Sequence, residues 1–143
     1  MRHCSVHSVV ARCSLCFIIL GYALGCAKDS TPQQPQLFVD RDTVTFGGSV
    51  YIGAIPQDSI EIRNNGLDDL IISSTTLTND GNAFTNVGPN STVLKGKEHT
   101  FVTFYFRPTQ ARQYTGTFTI ASNAQNTPNK VITLTATGVT PPP

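Results

Sequence analysis

The chain has no tryptophan, one methionine and three histidines, and only 13% of its residues are charged. His3 and His7 lie at the extreme N-terminus, so His99 is the one histidine in the rest of the chain. A zinc site needs several imidazole or thiolate ligands, which a single histidine cannot supply. A Ser-His-Asp triad would have to be built on His99, and no G-x-S-x-G element presents a serine to it. A Gly-rich phosphate loop is missing too. The expectation is therefore a protein with no catalytic residues, no metal, no cofactor and no small-molecule substrate. Asp80-Gly81-Asn82 has the start of a calcium loop, but no downstream glutamate completes it, and a β-turn is expected there. Asp68-Asp69 reads as a turn, because adjacent strand residues face opposite sides and make a poor acid/base pair. Asn90-Ser91-Thr92 is a formal glycosylation sequon, without meaning in a bacterial setting.

Concentrated charge is also missing. Beyond residue 25 there are eight basic and nine acidic side chains, scattered along the chain for a net of −1. Phosphate backbones are bound by a concentrated basic face, so nucleic acid is not an expected partner. Nor does any polybasic cluster suit an anionic membrane surface.

No apolar run reaches the ~20 residues of a spanning helix. The longest, residues 13–24, is about a dozen long and follows a stretch holding Arg2 and Arg12 but no acid. Small residues Ala23 and Gly25 come next. This is the order of a secretory signal peptide over residues 1–25, with an uncleaved signal anchor as the alternative. Cys4, Cys13 and Cys16 fall inside it, so the redox-like spacing of Cys13-Ser-Leu-Cys16 sits in a signal core and not at a helix N-terminus. Cys26 is then the only cysteine left, with no partner for a disulfide within the chain.

"ALGC", ending at Cys26, resembles a bacterial lipobox, although Ala23 and Leu24 stand in reverse of the usual order. The resemblance implies cleavage between Gly25 and Cys26 and attachment of lipid to the Cys26 thiol. One acyl chain binds a bilayer marginally, and two or three hold a protein firmly. It further implies a lipid-anchored protein of the bacterial cell envelope. Ala27, where an aspartate would retain a lipoprotein in the inner membrane, favours the outer one. The alternative is ordinary signal-peptidase cleavage, for which Ala23-Leu24-Gly25 and Gly25-Cys26-Ala27 both qualify, giving a soluble secreted or periplasmic structural subunit. Residues 26–36, "CAKDSTPQQPQ", are polar with two prolines and are expected to form a flexible linker of up to roughly 30 Å.

From Leu37 the apolar period is two. Ile60 and Ile62 alternate before Asn65-Gly66, a dipeptide suited to a tight turn with positive φ. Val102, Phe104 and Phe106 share one face before Pro108; Phe118 with Ile120, and Ile132, Leu134 and Ala136, do the same. Turn-forming clusters at Gly47-Gly48, 64–66, 79–82, 88–90 and 123–129 separate these segments. No helical stripe is present. The pattern predicts an all-β sandwich of about seven to eight strands over residues 37–139, with a proline-rich tail at 140–143. Without tryptophan or a cysteine pair, its core must be pinned by Phe, Ile, Leu and Val. Phe101 and Tyr105 fall on the side of their strand opposite Phe104; they either meet a partner or pack beneath a further element.

Several of these elements occur together in one family. Phe46-Gly47, Asn64-x-Gly66, Phe84-x-x-Val87, the V-x-F-x-F-x-P of residues 102–108, Tyr114-Thr-Gly116, Ser122-Asn123 and Leu134-x-Ala-x-Gly138 follow the order of the ASH domain. This is the Hydin-type, choice-of-anchor D immunoglobulin-like domain, related to PapD and major sperm protein sandwiches. Arg112 departs from the glycine common before the tyrosine strand. The resemblance implies an immunoglobulin-like sandwich serving as a protein-binding or assembly module. Its partner would be a protein or an envelope polymer; a cilium- or centrosome-type role is the weaker alternative.

Overall fold

The computed structural model describes residues 31–143. Nine strands follow one another: β1 Leu37–Val39, β2 Thr43–Tyr51, β3 Gln57–Asn64, β4 Leu70–Asn79, β5 Phe84–Val87, β6 Val93–Leu94, β7 His99–Phe106, β8 Gln113–Ser122 and β9 Asn129–Val139. A 3-10 turn at Asp80–Asn82 joins β4 to β5. A four-stranded sheet of order β1-β3-β7-β5 faces a five-stranded sheet of order β2-β9-β8-β4-β6. All pairings are antiparallel except β2 with β9. The count exceeds seven to eight because β1 and β6 have only three and two residues. Strands so short carry no readable alternation.

The period of two works as expected along the long strands. Ile60, Ile62, Val102, Phe104, Phe106, Phe118, Ile120, Ile132 and Leu134 are all fully buried between the sheets. In place of a tryptophan and a disulfide, aromatic rings hold the layers together. Phe104 of the first sheet meets Phe118 of the second edge-on, at 5.1 Å between centroids. Phe46, Phe84 and Phe106 form a triangle with sides of 5.1 to 5.8 Å. Each such pair adds about 0.5–1.5 kcal/mol beyond its buried area.

Two turn expectations are corrected. Gly47-Gly48 lies inside β2, where the register against β9 slips between Thr45 and Ser49. Gly48, at φ +65°, lets the strand bulge and continue. Asn64 to Gly66 makes no hairpin either, because β3 and β4 belong to different sheets. The segment crosses from one layer to the other, and Gly66 is not among the glycines with positive φ.

Within the segment expected as a linker, residues 32–36 are bonded to the domain. Leu67 N–H donates to the Pro32 and Gln33 carbonyls, Asp68 N–H to Gln33, and Gln125 N–H to Pro35. Pro35 is buried. This segment gains its place through backbone carbonyls, which apolar patterning does not report.

Strand directions then give the sandwich two distinct ends. Chain entry at 32–36, the 65–69 crossover, the 95–98 turn and the 123–128 loop gather at one end. The 52–56 loop, the 3-10 turn, the 107–112 turn and the end of β9 gather at the other. The tail at 140–143 leaves from this second end, exposed.

Candidate interaction surface

Gly25 and Cys26, the expected cleavage and lipid-attachment residues, lie outside the described residues. What the structure places is the sandwich surface.

The outer face of the first sheet is built by the residues that alternate with its core. Register sets Phe38 beside Arg63 and Arg63 beside His99 in one row. Glu61 stands beside Phe101 in the next row, then Ser59 beside Thr103 and Val87, then Gln57 beside Tyr105 and Thr85. Phe101 is 50% exposed, with the His99 ring against it edge-on at 5.4 Å. The Arg63 guanidinium lies 5.2 Å above the Phe38 ring and bonds Glu61 at 2.9 Å. Of the two roles open to Phe101, covering by a further element of the chain is not found among the described residues. Tyr105 is partly covered. The face is thus an aromatic centre with a mixed-charge border. Phe38 was not foreseen in it, since a three-residue strand supplies it, and the place of Arg63 between Phe38 and His99 is set by register alone.

The opposite face is different in kind. Thr45, Thr135, Thr115, Thr117, Thr133 and Thr78 rank across β2, β9, β8 and β4. Thr45 and Thr135 share a hydroxyl contact at 3.1 Å, Thr78 and Thr117 one at 2.6 Å. Two depressions of about 270 and 400 Å³ lie on this face, lined by threonines together with Gln113 and Tyr114 in the first and with Asn79 and Asp80 in the second. Their linings bring together no acid, base and nucleophile in a catalytic arrangement. Among the described residues, no group of three or more His, Cys, Asp and Glu is placed to hold a metal ion. Asp68 and Asp69 stand in the crossover and Asp80 to Asn82 in the 3-10 turn; Asp69 pairs with Lys95.

Short flanking strands cover the sheet edges only in part, since β6 pairs with Leu70 and Ile71 alone of the ten residues of β4. β1, β5 and β6 have two to four residues. β2 has nine and pairs on one side only, and its glycine bulge interrupts the free edge.

The second end is fixed by Tyr114. Its hydroxyl accepts from Thr109 N–H at 3.2 Å and Gln110 N–H at 2.9 Å, and donates to the Gln110 carbonyl at 3.2 Å. This tyrosine corner is a recurrent feature of immunoglobulin-like sandwiches. Arg112 lies 4.1 Å above the Tyr114 ring and pairs with Asp80. The departure from glycine at Arg112 therefore shields the corner. The Arg112 guanidinium holds the Asp80 carboxyl below its ordinary pKa, chiefly through their hydrogen bond.

An immunoglobulin-like sandwich with a tyrosine corner and free aromatic face defines the class. The family of HYDIN/CFA65/VesB-like Ig-like domains matches residues 35–137, and the chain belongs to it. Comparison with curated proteins finds no match. Among solved structures, a protein of unknown function from Porphyromonas gingivalis W83 is 21% identical over 79% of this chain and 51% of its own, with a TM-score of 0.62. The ASH/PapD-like domain of human CEP192 is 15% identical over 99% of this chain and all of its own, with a TM-score of 0.61. The secreted serine protease VesC from Vibrio cholerae is 21% identical over 78% of this chain but 25% of its own, with a TM-score of 0.58. The chain thus spans about half of the first protein and a quarter of the protease. At these identities the likeness is one of fold. Membership of an Ig-like family is consistent with an interaction module.

Proposed function

We propose that this is a lipid-anchored, non-enzymatic protein of a bacterial cell envelope, whose sandwich holds a protein partner through the outer face of the first sheet. The lipobox-like junction at Cys26 carries the reading, because it stands only a few residues before a segment stapled to one end of the domain. An anchor there leaves both sheet faces and the second end free. Phe101 supplies an exposed aromatic anchor, and the border of Arg63, Glu61 and His99 supplies polar selectivity. An outer-membrane location follows from Ala27 by resemblance to lipoproteins.

Two measurements test this. The mature N-terminus should carry acylated Cys26 by mass spectrometry, and Cys26→Ser should move the protein from the membrane to the soluble fraction. Unchanged partition would sink the anchor. A photo-crosslinking residue in place of Phe101 should capture a discrete protein in intact cells, and one in place of Thr117 should not. A polydisperse adduct would point to an envelope polymer.

A further inference from the structure

The end at which the chain enters carries an apolar strip that no other element among the described residues covers. Ile71 and Val93 are direct cross-strand partners of β4 and β6, while their neighbours Leu70 and Leu94 point into the core. The Asp69–Lys95 ion pair, 2.6 Å long, comes next along this ribbon. Leu67 follows, its backbone pressed against Gly96. Leu67, Ile71 and Val93 are 41 to 47% exposed. The Lys97 ammonium beside them rests on the Asn65 carbonyl at 2.7 Å.

The length of chain before this end decides what meets the strip. Leu67 N–H is bonded directly to the Pro32 carbonyl. From Pro32 back to Cys26 is six residue steps, and a chain reaches at most about 3.3–3.6 Å per residue. A lipid on Cys26 would therefore hold Pro32 within about 20 Å of the bilayer surface. The sandwich strands are up to eleven residues long, or roughly 35 Å. So short a tether keeps the entry end near the lipid, while the second end can stand a strand length beyond it. It also holds the strip at a high effective concentration next to the membrane, where weak contacts suffice.

We infer that Leu67, Ile71 and Val93 rest on the phospholipid surface and hold the domain by its entry end, with the outer face of the first sheet and the second end directed outward. The inference rests on lipidation of Cys26. Charge at this end is mixed, since Asp68 and Glu98 offset Lys97 and the Asp69–Lys95 pair is closed. Contact is therefore apolar in origin and should survive high salt and occur on zwitterionic lipid.

The full chain, expressed so that it is lipidated, would carry a fluorophore on Ile71→Cys, with Ile55→Cys as the control at the second end. Both positions are exposed, so folding is not at stake. In phosphatidylcholine vesicles containing spin-labelled lipid, emission from position 71 should be quenched and shifted to the blue, and emission from 55 should not. Val93→Cys against Tyr51→Cys repeats the comparison on independent residues. Equal behaviour at both ends, with Cys26 acylated by mass, overturns this arrangement and leaves the anchor standing. An unacylated Cys26 in the mature chain overturns both.

Discussion

The two ends of the sandwich solve one problem with different chemistry. Each must hold backbone groups of loops that no sheet can pair. At the entry end, asparagine amides do this. Asn64 is completely buried: its Oδ1 accepts from Gln36 N–H and Gly66 N–H, and its Nδ2 donates toward the carbonyls of Asp68, Leu94 and Lys95. Asn126 receives Leu37 N–H at 2.9 Å and donates to the Leu37 carbonyl at 2.8 Å, as a neighbouring strand would. At the second end a single hydroxyl, on Tyr114, holds one turn. The amide hub ties together four separate pieces of chain, whereas the corner ties together residues four to five apart. The entry end should therefore be the costlier one to damage, as suits an end that carries a tether.

Asn64→Ala should show the largest effect. It leaves several buried donors and acceptors without partners, at about 1–3 kcal/mol each, with partial rescue by water. A loss of about 3–5 kcal/mol in denaturant unfolding is expected. A loss below about 1 kcal/mol would remove the asymmetry between the ends. Asn64→Asp should rescue poorly, because it loses all the donors and places a charge in a fully buried position.

Each end also has a glycine with no room for a side chain, and the two can be compared directly. A Cβ on Gly66 would stand 2.0 Å from the Gln34 carbonyl oxygen; one on Gly138 would stand 2.5 Å from that of Gln110. Both contacts are to backbone, which yields only if a segment moves. Gly138→Ala should cost about 1–3 kcal/mol throughout the domain, as overpacking does. Gly66→Ala should instead expel residues 32–36, which no strand holds. Hydrogen exchange separates the two: Leu67 and Asp68 amides should lose protection in Gly66→Ala and keep it in Gly138→Ala.

These glycines also show what the sequence made legible. The family pattern picked out Asn64-x-Gly66 and Gly138, and strand alternation identified ten of the twenty-two buried apolar residues, all on β3, β7, β8 and β9. The reason for Gly66 was not legible. Asn-Gly suggests a positive-φ turn, but the constraint comes from Gln34, about thirty residues away in sequence. The docking of residues 32–36 was not legible for the same cause: the carbonyls of Pro32, Gln33, Pro35 and Gln36 are paired by distant N–H groups, and a polar composition looks identical whether docked or free. On the outer face, Phe101 and Arg63 both fall outward by alternation, whereas their neighbour Phe38 depended on a strand too short to recognise.

Tyr114→Phe tests the corner with a smaller effect. It removes one oxygen and keeps the ring that packs on Phe106 at 5.4 Å. Two N–H donors, on Thr109 and Gln110, lose their acceptor close to the surface, where water can replace it. The loss should be about 1–1.5 kcal/mol, less than half that of Asn64→Ala. Sites at opposite ends share no partners, so the double variant should be additive within about 0.5 kcal/mol.

The smallest effect should come from the Asp80–Arg112 pair, which separates the ends by pH. Arg112 lowers the Asp80 pKa through a hydrogen bond, so the folded state binds this proton less readily than the unfolded chain does. The pair's contribution is then complete above the ordinary carboxylate value of about 4 and falls away as pH drops through the lowered one. Both groups are solvent-facing, so the effect on global stability should be slight. A local reporter reads it better. In an NMR titration the Tyr114 ring resonances should shift as Asp80 is protonated and the guanidinium above the ring loosens, while the Asn64 side-chain amide should not respond. Asp80→Asn should abolish the Tyr114 response; a response that persists would mean that another group causes it, and no response in the parent chain would mean that Arg112 keeps its place over the ring by stacking alone.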